Sequence, residues 1–119
     1  MNIDLDIVPS TIEQAIDILE RSLSDEERSM VIRDKDATTT THHGDGRWIR
    51  NNWSLWQKDL PLVLDFNRRG IHHADDMSGI LLTSTSRQVK KEPLDLDEQI
   101  QYYRDYWQRS GVDPDNLGG

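Results

Sequence analysis

The sequence predicts an all-α single domain, an irregular bundle of five to six short helices with an extended N-terminal arm. Three observations carry the prediction. Apolar residues recur at i, i+3, i+4 and i+7 along most of the chain, the spacing of one helix face. Ser or Asp followed closely by acids opens these segments, and Gly or Pro closes them. The chain has 119 residues, the size of one domain.

Composition narrows the class. Apolar residues make up 34% and charged residues 30% of the chain, so the core is thin, and four Trp supply much of its bulk. Net charge is −8, which sets the chain as a whole against nucleic acid and anionic membranes. Residues 1–36 carry ten acids and four bases, residues 37–91 five acids and eight bases, and residues 92–119 seven acids and two bases. A basic centre holding all four His therefore lies between acidic ends. The absence of Cys excludes disulfides and thiolate chemistry and suits a reducing cytoplasm. No apolar run nears the ~20 residues that span a bilayer. The acidic start, Met1-Asn2-Ile3-Asp4, lacks the basic and apolar regions of a signal peptide.

Residues 1–9 read as the arm, with Ile3 to Val8 alternating apolar and acidic as in a short strand. The helical domain covers residues 10–110. Ser10 and Glu13 match a capping box, and Ile12, Ala15, Ile16, Leu19 and Leu23 form the inner face of the helix behind it. Ser24 and Glu27 repeat the box and open a shorter helix to about Arg33. Residues 34–46 read as a mobile loop, because the run Thr38 to Thr41 disfavours helix and Gly44 and Gly46 permit positive φ.

A third helix is expected from Gly46 to Gln57, with Ile49, Trp53 and Trp56 inward and Arg47, Arg50, Asn51 and Ser54 outward. Asp59 reads as the cap of a fourth helix, with Pro61 in its first turn and Leu60, Val63, Leu64 and Asn67 on its inner stripe. Gly70 followed by Ile71 is a Schellman stop. His72 to Asp76 opens a fifth helix whose two Asp can accept its free amides. Met77, Ile80, Leu81 and Ser84 continue inward before the run from Thr85 to Lys91 turns polar. Asp95 to Glu98 cap a last helix. Its stripe is Leu96, Ile100, Tyr103 and Trp107, with Tyr102 and Tyr106 as a second aromatic row and Gly111 as its end. Residues 111–119 read as a flexible tail, extended or disordered.

Three blocks stand out together. They are Arg47-Trp48-Ile49-Arg50-Asn51-Asn52-Trp53-Ser54-Leu55-Trp56, then Gly70-Ile71-His72-His73-Ala74-Asp75-Asp76-Met77-Ser78-Gly79-Ile80-Leu81-Leu82, then Leu96-Asp97-Glu98-Gln99-Ile100-Gln101-Tyr102-Tyr103-Arg104-Asp105-Tyr106-Trp107. The combination resembles an uncharacterised family of small acidic helical proteins of phage and bacterial genomes, over residues 9 to 107. The resemblance implies a shared fold and a phage or mobile-element setting, in the cytoplasm of a bacterial host, and no reaction.

The residue types leave two sets of candidates. A ligand-binding set comprises Arg47, Arg50, Asn51, Asn52, His72, His73, Asp75 and Asp76, in which guanidinium forks and amides suit a nucleotide or other anionic small ligand. A partner-interface set comprises Asp97, Glu98, Tyr102, Arg104, Asp105 and Tyr106, of the Tyr and Arg types that dominate protein interfaces. The adjacent pairs His42-His43 and His72-His73 lack metal-ligand spacing, so no metal or cofactor is expected. His72 or His73 with Asp75 or Asp76 is the only acid–base constellation, and a helix start already accounts for the acids. The expectation is a non-enzymatic acidic binding protein that inhibits or modulates a host protein, in one version a defence protein, by occupying its basic surface. A nucleotide-binding module on the Arg47, Arg50 and Asn51 face is the alternative, a small His/Asp enzyme the second, and a second copy of the chain is a further partner to consider.

Overall fold

The computed structural model describes residues 8–33, 49–50, 53–55, 57 and 59–116. The arm up to residue 7, the loop at 34–46, and Arg47, Asn51, Asn52 and Trp56 lie outside the described residues. Among the described residues five helices are delimited: α1 Ile12–Ser22, α2 Asp25–Arg33, α3 Pro61–Arg68, α4 Ala74–Val89 and α5 Leu96–Arg109, followed by a 3-10 turn at Pro114–Asn116. No strand occurs among the described residues. The fold is all-α and a single domain, as the apolar spacing predicts.

The longest helix, α4, is the axis. It packs against α1, α2 and α5, and α1 also packs against α3. Its apolar face supplies Met77, Ile80, Leu81 and Leu82, which meet Ile12, Ile16 and Leu19 of α1 and Phe66 of α3 in one core. The segment from Thr85 onward, polar in the sequence, is nonetheless buried at Thr85, Ser86 and Val89. The Thr85 hydroxyl there and the Ser84 hydroxyl just before it have partners, which makes their burial cheap. Thr85 Oγ1 donates to Leu81 O at 2.7 Å, and Gln99 Nε2 donates to Ser84 Oγ at 3.0 Å.

The cap of α1 sits one residue later than Ser10. Thr11 is the N-cap, and its hydroxyl accepts the Gln14 N–H at 3.1 Å. The Gln14 side chain reaches back to the Ser10 N–H at 2.9 Å. Glu13 is thereby free to pair with Arg69, at 2.7 Å. The shift has a non-local cause: the Ile12 N–H is taken by Asp65 Oδ2 of α3 at 2.9 Å. The second box forms as expected, with Ser24 and Glu27 exchanging bonds of 3.0 and 3.1 Å.

In α3 the stripe is turned from the expected one. Leu62, Val63 and Phe66 are buried with Asp65, while Leu64 is exposed. The N-cap is Leu60, not Asp59, and no side chain caps this helix. Burying Asp65 against the start of α1 sets the rotation. The stop is a full Schellman motif, in which Ile71 N–H donates to Phe66 O and Gly70 N–H to Asn67 O, with Gly70 at φ 98°. Upstream, Ile49 and Arg50 are helical, but Ser54 adopts φ 51° and Trp53–Leu55 form a turn, so the helix expected through Gln57 is interrupted there. Trp53 and Leu55 are nonetheless buried.

Over its described residues, 111–116, the tail folds back and does not run extended. Gly111, at φ 81°, closes α5 through Val112 N–H to Trp107 O, and the following 3-10 turn brings Asp115 back to Arg104 at 2.7 Å.

Candidate functional site

Two helix ends meet where α5 crosses the start of α4, and an open groove of about 320 Å³ lies between them. His73, Asp75 and Asp76 line it from α4 and its cap, and Tyr102, Tyr103, Tyr106 and Trp107 from α5.

His73 is the N-cap of α4, in extended conformation, with Nδ1 accepting the Asp75 N–H at 3.0 Å. That bond places the imidazole proton of the neutral ring on Nε2. The ring lies beside the Trp107 indole, centroids 5.6 Å apart at 31°. One turn into the helix, Asp76 points inward and is 7% exposed. Its Oδ2 accepts the indole Nε1–H of Trp107 at 2.8 Å. Burial pushes the Asp76 carboxyl above its ordinary range and Asp75 adds to this, while the Trp107 hydrogen bond and His73 pull the other way.

On α5 the i, i+4 spacing makes two aromatic rows. Tyr103 and Trp107 form the inner row, half-buried; Tyr102 and Tyr106 form the outer row, 62% and 49% exposed. The rows meet edge to face, Tyr102 on Tyr103 at 5.3 Å and Tyr106 on Trp107 at 5.2 Å. Burial pushes the Tyr103 hydroxyl up, and Asp76 and Tyr102 push it further.

Arg104 fixes α5 in this position. It belongs to the expected interface set, but its guanidinium turns back, donating to Gly70 O at 2.9 Å and to Asp115 at 2.7 Å. His72 Nε2 stands 3.6 Å from the same Asp115 and so faces away from the groove lined by His73.

The candidate set built on Arg50 is divided. The Arg50 guanidinium donates to Ser78 Oγ at 2.9 Å and pairs with Asp75 at 3.3 Å, so it is engaged at the start of α4. Arg47, Asn51 and Asn52 lie outside the described residues. Other arginines of the basic centre are also turned onto their own chain, Arg68 and Arg69 onto Asp65, and Arg87 onto Leu94 O. Asp97, Glu98 and Asp105 are exposed on α5, Asp105 accepting from Gln101 at 2.8 Å. Among the described residues, no three His, Asp or Glu side chains converge as a metal site. No described helix is long and apolar enough to cross a membrane.

A family model described as a domain of unknown function, DUF6794, matches residues 8–89. The chain belongs to this family. The DUF6794 match covers α1 to α4, and with them the His73–Asp76 wall of the groove. It ends before α5, so the Tyr102–Trp107 wall stands beyond it, and the third block of the resemblance is outside the family match. No curated protein and no solved structure matches the chain.

The sequence singles out Asp76, His73, Tyr102 and Tyr106 but assigns them to two different surfaces. Trp107 and Tyr103, taken as core stripe, are the residues that join those surfaces into one. Their aromatic spacing is visible in the sequence, but the 31-residue span from Asp76 to Trp107 is not.

Proposed function

We propose that this DUF6794 chain is a small acidic binding protein that acts by docking the outer face of α5 on a basic surface of a partner protein. One observation carries the reading: Tyr102 and Tyr106 stand 62% and 49% exposed beside an open groove. Large aromatic side chains left in solvent at a concave edge are the residue type and setting of interface anchors. Glu98 and Asp105 lie at i−4 and i+3 from Tyr102, so the anchors sit in a negative field, in a chain of net charge −8. The turn of the central Arg50 and Arg69, and of Arg104 on α5, onto their own chain supports the same sign, because it leaves acids to meet the partner. In the phage or mobile-element setting implied by the resemblance, the partner is a host protein and the outcome is inhibition or modulation by occupancy.

The test is capture from host lysate with the intact chain and with the triple variant Asp97→Lys/Glu98→Lys/Asp105→Lys. A control variant, Asp25→Lys/Glu26→Lys, places the same type of change on α2. The reading expects a partner with a basic surface that the control retains and the triple variant loses. Equal retention by all three forms removes it.

A further inference from the structure

We propose that the groove between the start of α4 and α5 receives a single arginine side chain from a basic segment of the partner. The inference rests on the binding-protein reading and names the group that the site recognises.

The lining is of two kinds, and an arginine answers both. The α5 wall is aromatic: Tyr106 and Trp107 in edge-to-face contact at 5.2 Å, and Tyr102 against Tyr103 at 5.3 Å. Aromatic faces attract cations through the ring quadrupole, and a planar guanidinium can also stack on them. At the inner end lies a carboxylate, Asp76, held in place by the Trp107 indole N–H on one oxygen. The indole is the only side-chain donor to it among the described residues, so Asp76 keeps acceptor capacity for an incoming fork.

Charge at the groove selects a cation. Asp75 is partly offset by Arg50 at 3.3 Å, which leaves Asp76 as the counter-ion that an entering group meets. His73 has its Nδ1 committed to the Asp75 amide, so its imidazole offers a flat edge rather than an acceptor at that atom. Burial holds the Tyr103 hydroxyl above its ordinary range, so it meets an entering cation as a neutral phenol. On α5, Glu98 and Asp105 lie one turn either side of the lining residue Tyr102, and their charge steers a basic segment toward it. The groove, about 320 Å³ and open on one side, admits one arginine side chain presented by a partner segment, and the choice of a cation rests on its aromatic and carboxylate lining.

Titration with three capped pentapeptides, Gly-Gly-X-Gly-Gly with X arginine, lysine or citrulline, tests this. The readout is the Trp107 indole N–H resonance in a nitrogen–proton correlation spectrum, assigned by its disappearance in Trp107→Phe. The arginine peptide should shift that resonance to saturation. The lysine peptide should bind more weakly, and citrulline, the same shape without charge, should not bind. Asp76→Asn keeps an oxygen for the indole and should weaken the arginine peptide by at least about tenfold. Tyr106→Ala, at an exposed position, should weaken it by about two- to fivefold and guards against a folding defect in the first variant. A citrulline peptide that binds as well as arginine, or full affinity in both variants, overturns the proposal. Lysine equal to arginine overturns the choice of a guanidinium. If the groove variants leave lysate capture intact while the triple charge reversal abolishes it, the arginine site fails and the binding-protein reading stands. If neither set of variants affects capture, both fail.

Discussion

The indole of Trp107 donates its Nε1–H to Asp76 Oδ2 across 2.8 Å, joining the end of α5 to the first turn of α4. Trp107→Phe keeps an aromatic ring and removes the donor. With Asp76 raised by burial, loss of a bond that lowered it raises the carboxyl further. The contribution tied to the protonated form is fully present below the ordinary Asp range, about 3.9, and is lost as pH rises through the higher folded value. The Trp107→Phe deficit should therefore be largest at pH 7, about 1–3 kcal/mol, and should narrow toward pH 3. Denaturant melts at the two pH values measure it. A deficit of equal size at both would assign it to ring packing alone.

Asp65 has the opposite sign. Burial alone would push its carboxyl up, but the Ile12 amide and the Arg68 and Arg69 guanidiniums outweigh this and hold it below the ordinary range. Its contribution is present above the ordinary Asp range and lost as pH falls through the depressed folded value. Asp65→Asn should cost about 1–3 kcal/mol at pH 7 by weakening the hold on the Ile12 amide and on Arg69. The gap to the unmodified chain should close toward pH 2, as read by denaturant melts. A constant gap would place the effect in packing and not in charge.

Gly70→Ala meets two obstacles at one position. Gly70 is at φ 98°, which costs an L-residue about 1–2 kcal/mol. An added Cβ would also stand 2.6 Å from Arg104 Nη1, an atom tethered to Gly70 O and Asp115. Thermal melts should show the variant less stable. In an Arg104→Ala background the penalty should fall to the backbone part, and a full cycle of single and double variants separates the two.

The α1 cap gives a prediction that the two sequence registers answer differently. Thr11→Ala should cost about 1 kcal/mol, because its hydroxyl accepts the Gln14 amide. Ser10→Ala should be close to neutral, since Ser10 enters the cap through its backbone N–H. Equal losses in denaturant melts would contradict the Thr11 register.

Local signals in this chain are legible and remote ones are not. The period of Ile12, Ala15, Ile16 and Leu19, the Ser24–Glu27 box and the Gly70–Ile71 stop each depend on residues within about a turn of one another, and each forms. The misplaced features depend on distant partners. Asp65 turns α3 and shifts the α1 cap through a bond spanning 53 residues. Ser84 is expected inward and is buried, but the partner that satisfies it, Gln99, lies 15 residues away and is not readable from the local pattern. The groove was divided between two candidate surfaces for the same reason: His73 and Asp76 are readable as a helix start, and Tyr102 and Tyr106 as an exposed row, but only packing brings them together.

Since α4 and α5 each supply one wall, whatever occupies the groove also acts as a clamp between them. Occupancy adds free energy to the closed arrangement with the logarithm of one plus the ratio of ligand concentration to its dissociation constant. Amides of α5 should then exchange with solvent more slowly in the bound state, while those of α1, on another face of α4, change less. Recognition and the local folding of the C-terminal helix become one equilibrium, so a substitution that loosens α5 from Gly70 weakens binding without touching the ligand.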